Sequence, residues 1–589
     1  MAFLRESFGR LKWGIFPTRR VVDEDENGNF TIPETELEVE AKLDSKYDIK
    51  VDSKLESNSD IVDVETPVLE YRDEKDRPWW KYFDEYEYRV TTESKLKRKF
   101  YHWFHPDDTP EEKRLILKID LLLTFYSLIA YWVKYLDQTN LTNAYVGGMR
   151  EGLNMQGNDF VNTQVMFSVG NIVFQIPFMY IFYAMPLNYV MPSMELCWSI
   201  LTVCLYKSGS VARLKAIRFF IGALEAPAYL CYHALFSSWY KSSTGEINRR
   251  AAFFYLGQYL GVMTSGLLSG AIERNFEGVA GHAAWQWIFI MDGIISVAVG
   301  IIGYYMIPGT PEDCYSIFLT DDDIRIARKR MRDDQKDAKP REDVAKYFFN
   351  KDLWKKIFTS WHIYVMAIWH CFCWNNSNGS SGAYALWLKS LTNEDGSPRF
   401  GAGQLQDYTA LTPALGLIWL AITSLIADLL KSRWGAIVFS QVFNITGNVL
   451  LAVWNIPERA KWFAWCLQYF GWAMAPIVYS WQGDICRKDL RERQIVLISM
   501  NVFAQQTTAW ISVLVWKTVE APRFLKGYTF TACSATALVI WTFLVLWLYK
   551  REERANAREN GIVLYDSPKQ DLEEMQIQVE GEKGQVKLD

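Results

Sequence analysis

A chain of 589 residues that is 50% hydrophobic and 15% aromatic, yet has a mean hydropathy near zero, is uneven along its length and too long for one ordinary soluble domain. The net charge of −5 decides little, because charge in individual loops matters more than the sum, and nothing in the composition suggests nucleic acid. The nine cysteines do not form a disulfide framework, since most, such as Cys197, Cys204, Cys231, Cys466 and Cys533, lie inside apolar stretches.

From the N-terminus, no unbroken apolar core precedes the acidic run that begins at Asp23, so neither a cleavable signal peptide nor a mitochondrial presequence is expected. Residues 20–76 are rich in Asp, Glu, Asn and Ser, which predicts disorder. The stretch 77–89 is dense in Trp and Tyr and reads as a lead-in at the headgroup layer, with a partner-docking role as the alternative.

Twelve apolar stretches of membrane-spanning length follow, near 116–136, 162–183, 186–206, 216–238, 252–272 and 286–306, then 361–388, 407–429, 435–454, 462–482, 495–516 and 529–549. The expected organisation is a cytoplasmic tail 1–114, a six-helix bundle 115–307, a polar connector 308–360, a second six-helix bundle 361–550 and a tail 551–589. Lysine and arginine favour the loops that are inside when both termini are cytoplasmic, although the loops at 207–215 and 517–526 blur the contrast. Three Asn-x-Thr triplets, at Asn29, Asn140 and Asn444, are assigned no role.

The two halves share a phrase. Gly222-Ala-Leu-Glu-Ala-Pro227 in the first half matches Gly471-Trp-Ala-Met-Ala-Pro476 in the second, and the alignment sets Glu225 against Met474 and Arg218 against Leu467. Internal repeats with a midplane site between them are the build of secondary transporters. The pattern therefore predicts an all-α polytopic membrane protein made of two six-helix bundles, twelve helices related by a pseudo-twofold axis.

Only the first copy carries charge at these positions. Arg218 and Glu225 are seven residues apart, so they project from about one helix face. Each costs about 2.5–3.5 kcal/mol to insert into hydrocarbon, which points both into the bundle. An arginine fork fits a carboxylate, and a glutamate in a dry cavity takes up protons near neutral pH. Arg218 is thus the candidate anion ligand and Glu225 the candidate proton carrier; the competing reading has Arg218 at a helix mouth, paired with a loop residue. Lys134 and Asp137, one turn apart on the first span, could pair with each other. Their membrane depth also admits a substrate or gating role for Lys134 and a proton-coupling role for Asp137. Glu195 and Asp292 read as structural partners of cations on neighbouring helices, and His233 and His370 as packed histidines.

The seventh span contains Trp374-Asn-Asn-Ser-Asn-Gly-Ser-Ser-Gly382, a polar break favoured here as a broken helix over an outer loop. Asn375 and Asn376 then become candidate substrate ligands, as does Gln258 on the fifth span. His370 beside Cys371 and Cys373 lacks zinc-site spacing, so no metal is expected. Phosphate-binding loops, His-Glu-x-x-His and Gly-x-Ser-x-Gly are missing from the sequence, which disfavours an ATP-driven pump or an enzyme.

The stretches Asp137–Ala144, Arg218–Ala226, Trp285–Phe289 and Ile317–Ala327 resemble the anion:cation symporter branch of the major facilitator superfamily, in which fungal allantoate permease-type proteins fall. The likeness covers about 115–550, and the segments 71–89 and 560–565 are similar to the yeast subgroup of biotin and pantothenate importers. The resemblance implies a major facilitator fold and a plasma-membrane, proton-coupled importer of small organic anions, with a vitamin, allantoate, a sulfur amino-acid derivative and a small peptide as the open substrate classes. It also implies roles for Arg218 and Glu225 and a monomeric transport unit, with the proton as coupling ion and no cofactor. The family's charged loop between helices two and three is uncharged here, Ala184-Met-Pro-Leu-Asn188, whereas its second-half counterpart keeps Asp428 and Arg433 as candidate gating residues. The rival expectation is a nutrient receptor of this fold that does not transport.

Overall fold

The computed structural model describes residues 11–12, 16–20, 22, 70–75, 77–89, 103–105, 108–226, 228–241, 246–334, 351–377, 379–487 and 490–566. Most of the stretch expected to be disordered, the Asn29 triplet and residues 335–350 of the connector lie outside them. The chain divides into two compact units, one of Met1–Thr18 with Glu93–Tyr549, the other of Arg19–Thr92 with Lys550–Asp589.

The larger unit is helical. Helix α1 (Pro110–Ile119) starts at a reciprocal cap, in which the Thr109 hydroxyl accepts from the Glu112 amide and the Glu112 carboxylate from the Thr109 amide. A wider π turn, Asp120–Phe125, leads into α2 (Tyr126–Ala144), and a second, Tyr145–Met149, kinks at Gly147 and Gly148, where φ reaches +107°. The helical run from Pro110 to Gly152 thus far exceeds the expected 116–136. The polar residues from Lys134 to Asn143, which end the apolar run, are mostly buried within the bundle.

Five further segments complete the first half: α3 (Asp159–Ala184), α4 (Leu187–Cys204), the broken pair α5 (Val211–Glu225) and α6 (Ala228–Trp239), α7 (Glu246–Asn275) and α8 (Ala284–Met306). Helices α9 (Asp321–Asp334) and α10 (Lys351–Thr359) belong to the connector. The second half comprises α11 (Trp361–Trp374) with α12 (Ala383–Lys389), α13 (Ala402–Thr409) with α14 (Leu411–Leu430), and α15 (Arg433–Val453). It continues through α16 (Glu458–Cys466), α17 (Phe470–Ala473) and α18 (Ala475–Ile485) to α19 (Leu490–Val515) and α20 (Leu525–Ala555). Among the described residues, seven helices are long and apolar enough to cross a membrane by length and composition. Two further long helices, α3 and α19, and the broken runs α5–α6, α11–α12 and α16–α18 bring the segments to twelve.

Packing explains the repeated phrase. A Cβ on Gly222 would overlap the Phe167 carbonyl, and one on Gly170 the Phe219 carbonyl, so α3 and α5 cross backbone to backbone. In the second half a Cβ on Gly471 would come within 3.1 Å of the Asn376 carbonyl. The seventh segment breaks after Trp374 and turns through Gly382, whose φ of +71° is left-handed, before α12 begins. The two halves meet along α7 with α13 and α14 and along α3 with α19, and the first of these contacts lies at the ends expected to face outside. There Arg274 pairs with Asp407 at 2.6 Å and Gln406 donates to the Asn143 carbonyl at 2.8 Å.

The smaller unit holds a parallel pair of strands, Glu70–Asp73 and Ile562–Tyr565, with Glu70 opposite Ile562. Glu87 accepts two bonds from Arg77, at 2.7 and 2.8 Å, and pairs with Lys550. Arg89 pairs with Glu553 at 3.2 Å, and Tyr88, Ala557 and Ile562 pack together beneath.

Candidate functional site

Helices α2 and α5 carry two crossed ion pairs. Arg218, near the middle of α5, places Nη1 3.5 Å from Asp137 Oδ2 and donates from Nη2 to the Asp137 carbonyl at 3.3 Å. Glu225, at the end of α5, lies 3.8 Å from Lys134 Nζ, which also donates to the Glu225 carbonyl at 3.3 Å. Gln138 donates to Glu225 Oε2 at 3.1 Å, and Thr202 on α4 donates to Asp137 Oδ1 at 3.2 Å. Arg218, Asp137 and Glu225 are at most 1% exposed and Lys134 is 7% exposed, so water screens none of them well.

The pairing therefore differs from the one expected along the first span. Lys134 and Asp137 do not neutralise each other; each faces a residue of α5. Arg218 occupies neither a helix mouth nor a loop contact. As the chain climbs α2 from Lys134 to Asp137 it meets α5 in reverse, Glu225 then Arg218, so the helices form two antiparallel rungs. Three polar atoms keep spare capacity: Glu225 Oε1, Asp137 Oδ2 and Arg218 Nε have no hydrogen-bond partner among the described residues. A buried guanidinium with an unused donor, tied to its carboxylate at 3.5 Å, can exchange that carboxylate for an incoming one.

The polar stripe continues up α2. Asn140 donates to Asp292 Oδ2 on α8 at 2.8 Å, Ser265 on α7 donates to Asn140 Oδ1 at 2.8 Å, and Asn143 donates to Ser265 at 2.6 Å. Through the Gln406 bond to Asn143 this chain reaches the second half. Asn140, Asn143, Thr202 and Ser265 are absent from the sequence-based candidates. Their signal is the recurrence of polar residues at every third position, Lys134, Asp137, Asn140 and Asn143, a stripe that winds from the side of α2 facing α5 to the side facing α7.

Other candidates lie elsewhere. Asn375 donates to the Cys371 carbonyl and to Thr507, and lines a narrow cleft with Gln164, Trp374, Ser377 and Thr508; the lining includes neither rung. Asn376 donates to Gln441 at 3.0 Å, and its carbonyl accepts from Asn444 at 2.7 Å. Gln258 is buried on α7, two turns before Ser265. His370 contacts Tyr479 at 2.8 Å and accepts from Trp374 at 2.9 Å, while His233 contacts Tyr229. Arg433 pairs with Asp484 at 2.6 Å, and Asp428 lies in the last turn of α14. At the other end of α2, Arg250 grips Asp120 with two bonds of 3.0 Å, and Lys118 pairs with Asp323 of α9 at 2.5 Å. Burial raises the Asp323 carboxyl, but Lys118 and Thr320 more than offset this and hold it below its ordinary range.

A twelve-helix body with a buried charge site between its first and fourth segments is what a transporter fold provides, and the comparison with known families decides which one. The model of the Major Facilitator Superfamily matches residues 127–512. The chain belongs to that superfamily. It is 41% identical to the vitamin H transporter of Saccharomyces cerevisiae over 505 residues, which span 85% of this chain and 84% of the relative. It is 29% identical to the pantothenate transporter liz1 of Schizosaccharomyces pombe, over 75% of this chain and 84% of that one. The fold matches the proton:xylose symporter XylE bound to 6-bromo-6-deoxy-D-glucose with a TM-score of 0.57 at 11% identity, covering 74% of this chain and 96% of that one. A partially occluded inward-open form of XylE from E. coli matches with a TM-score of 0.51 at 11% identity, covering 72% and 98%. This major facilitator protein is an integral membrane transporter and not an enzyme.

Proposed function

We propose that this transporter imports a small carboxylate-bearing vitamin together with protons, by alternating access of its two halves. The observation that carries the reading is the pair of buried rungs, Arg218–Asp137 and Lys134–Glu225. A substrate carboxylate competes with Asp137 for the Arg218 fork, and the displaced Asp137, left without its cation in a dry site, takes a proton. Glu225, held by Lys134 and Gln138 with one oxygen unused, is the second proton carrier. Vitamin H (biotin) and pantothenate, the substrates in the relatives' names, are both monocarboxylates. A shared monocarboxylate supports the anion:cation symporter branch, near the allantoate permease-type proteins, and the relatives' names favour the vitamins over allantoate, itself a monocarboxylate.

The proposed setting is the plasma membrane, as the family resemblance implies, with both termini cytoplasmic, the orientation that the lysine and arginine pattern favours. An externally added thiol reagent should therefore fail to label Asp337→Cys in intact cells, and labelling would reverse the orientation. The function is tested by uptake of labelled vitamin H and pantothenate into host cells lacking their own carriers, at several external pH values and with a protonophore. Accumulation that rises on acidification and collapses with the protonophore is expected. Uptake indifferent to both would overturn proton coupling, and failure to take up either vitamin would overturn the substrate class.

A further inference from the structure

Asp292 is the buried carboxyl that the two rungs leave unexplained. It lies on α8 with no exposed surface. Its Oδ2 accepts from Asn140, its Oδ1 has no hydrogen-bond partner, and no lysine or arginine forms an ion pair with it among the described residues. Its partner Asn140 lies one turn beyond Asp137 on α2, and Asp137 is in turn the partner of Arg218 from α5; the facing groups of α7 and α4 are the neutral hydroxyls of Ser265 and Thr202, which reach it through Asn140 and Asp137.

Asp137 shows the complementary defect. Its Oδ1 accepts from Thr202, and its Oδ2 has no hydrogen-bond partner although Arg218 lies 3.5 Å away. Two buried carboxyls linked through one turn of α2 thus each have one oxygen lacking a donor, a need that one shared proton would meet. Charge balance asks for the same proton. Lys134 and Arg218 contribute two positive charges, whereas Asp137, Glu225 and Asp292, all ionised, contribute three negative ones. An excess charge in a dry bundle is costly, and two adjacent carboxylates do not both ionise readily.

We infer that Asp292 and Asp137 share one proton in this closed arrangement, making Asp292 a proton-binding residue of the transport cycle. Asn140 fixes the Asp292 carboxyl, and the chain Asn140–Ser265–Asn143–Gln406 ties that carboxyl to the seam between the halves. Opening the seam admits water, hydrates the second carboxylate and lets the proton leave.

This inference rests on the proton-coupled reading and is tested beside it with purified protein in vesicles, recording substrate uptake and proton flux across a pH series. Asp292→Asn keeps a partner for Asn140 and removes the third negative charge, so the site no longer needs its resident proton. The alkaline fall-off of uptake should then begin at lower pH, its half-maximal point moving about one unit or more to the acid side, a tenfold or greater loss of proton affinity. The protonated-carboxyl infrared band of the wild-type protein at neutral pH should weaken. Proton flux and pH profile in Asp292→Asn equal to wild type would overturn the shared proton alone, while wild-type uptake without proton flux would overturn the coupling reading first. Should Asp292→Asn not reach the membrane, Asp292→Ser retains a hydroxyl for Asn140 and gives the same readings; absence of the infrared band in the wild-type protein is then the overturning result.

Discussion

The two six-helix halves repeat a scaffold and not a chemistry. Gly222 lets α5 touch the backbone of α3, and Gly471 likewise lets the second copy approach the broken seventh segment. Three residues on, the copies diverge. Glu225 is charged, buried and bonded to Lys134 and Gln138, while Met474 is equally buried and packs its sulfur 3.7 Å from Cys373. At the Arg218 position the second half has Leu467, 5% exposed. In place of the two rungs the second half offers amides and aromatics: Asn376 with Gln441 and Asn444, and His370 with Tyr479 and Asn501. Close helix packing tolerates only small residues, so the duplication had to keep its glycines, whereas a midplane side chain could change in one copy without unpacking the other. In the proposed function the carboxylate and protons belong to the first half, and the neutral hydrogen-bonding groups and rings of the second are left for the uncharged body of the substrate.

The largest effect expected from breaking this asymmetry is at Arg218. Arg218→Ala strands Asp137 in the bundle, and removing one member of a buried pair costs about 3–5 kcal/mol. Both surface abundance and uptake should fall. Arg218→Lys keeps the charge and loses the fork, so correctly inserted protein should show an apparent affinity about 10- to 150-fold weaker, the equivalent of roughly 1.5–3 kcal/mol for a charge-assisted contact. Normal affinity in surface-localised Arg218→Lys would remove the arginine from the anion site.

Glu225→Gln comes next, because it makes the first copy neutral, as Met474 makes the second. The substituted amide would keep a partner in Gln138 but leave Lys134 without its counter-charge. Accumulation driven by a pH gradient should be lost, while exchange of labelled for unlabelled substrate persists. Steeply pH-driven accumulation in this variant would take Glu225 off the proton path.

How much of this was legible in the sequence follows from the range of each interaction. The twelve segments are local features, apolar runs of membrane length, and the repeat of glycine and alanine around Glu225 revealed the two halves. The break after Trp374 was legible because Asn, Ser and Gly cluster there. Which helix faces which is a tertiary fact, and so the natural guess paired Lys134 with Asp137 one turn away and missed the rungs to α5. The end of α2 was cut short at 136 because polar residues look like a loop until a neighbouring carboxylate or hydroxyl is known to receive them. The strand pair joining Glu70–Asp73 to Ile562–Tyr565 brings together opposite ends of the chain, and no local pattern announces it.

A smaller effect separates the shared scaffold from its chemistry. Gly222→Ala drives a methyl group into the Phe167 carbonyl, so α3 and α5 must separate, at a cost of about 1–3 kcal/mol or more. Gly471→Ala meets the Asn376 carbonyl at 3.1 Å and the Ser377 and Asn444 side chains at 3.2 Å, contacts that a shift of a few tenths of an ångström relieves. Thermal unfolding of the detergent-purified variants should rank Gly222→Ala well below Gly471→Ala. Equal losses would mean that the two copies bear equal packing strain and that the first is no tighter than the second.

The smallest effect belongs to neither half and serves as their control. In the smaller unit burial raises the Glu87 carboxyl, but two bonds from Arg77 and the Lys550 ammonium outweigh it and hold the group below its ordinary range. A carboxyl lowered on folding stabilises fully at pH values above its unfolded value, and that contribution fades as the pH falls through the folded value. Protection from proteolysis around Glu70–Asp73 and Ile562–Tyr565 should therefore be highest near neutrality and decline on acidification in the wild-type protein. Glu87→Gln should start from weaker protection and lose this component of the acid dependence, because the amide does not titrate in that window. Uptake should stay close to wild type, since Glu87 touches neither rung. A Glu87→Gln protein whose acid profile matches the wild type would show that other carboxyls of the unit, such as Glu74 or Glu553, set its pH response.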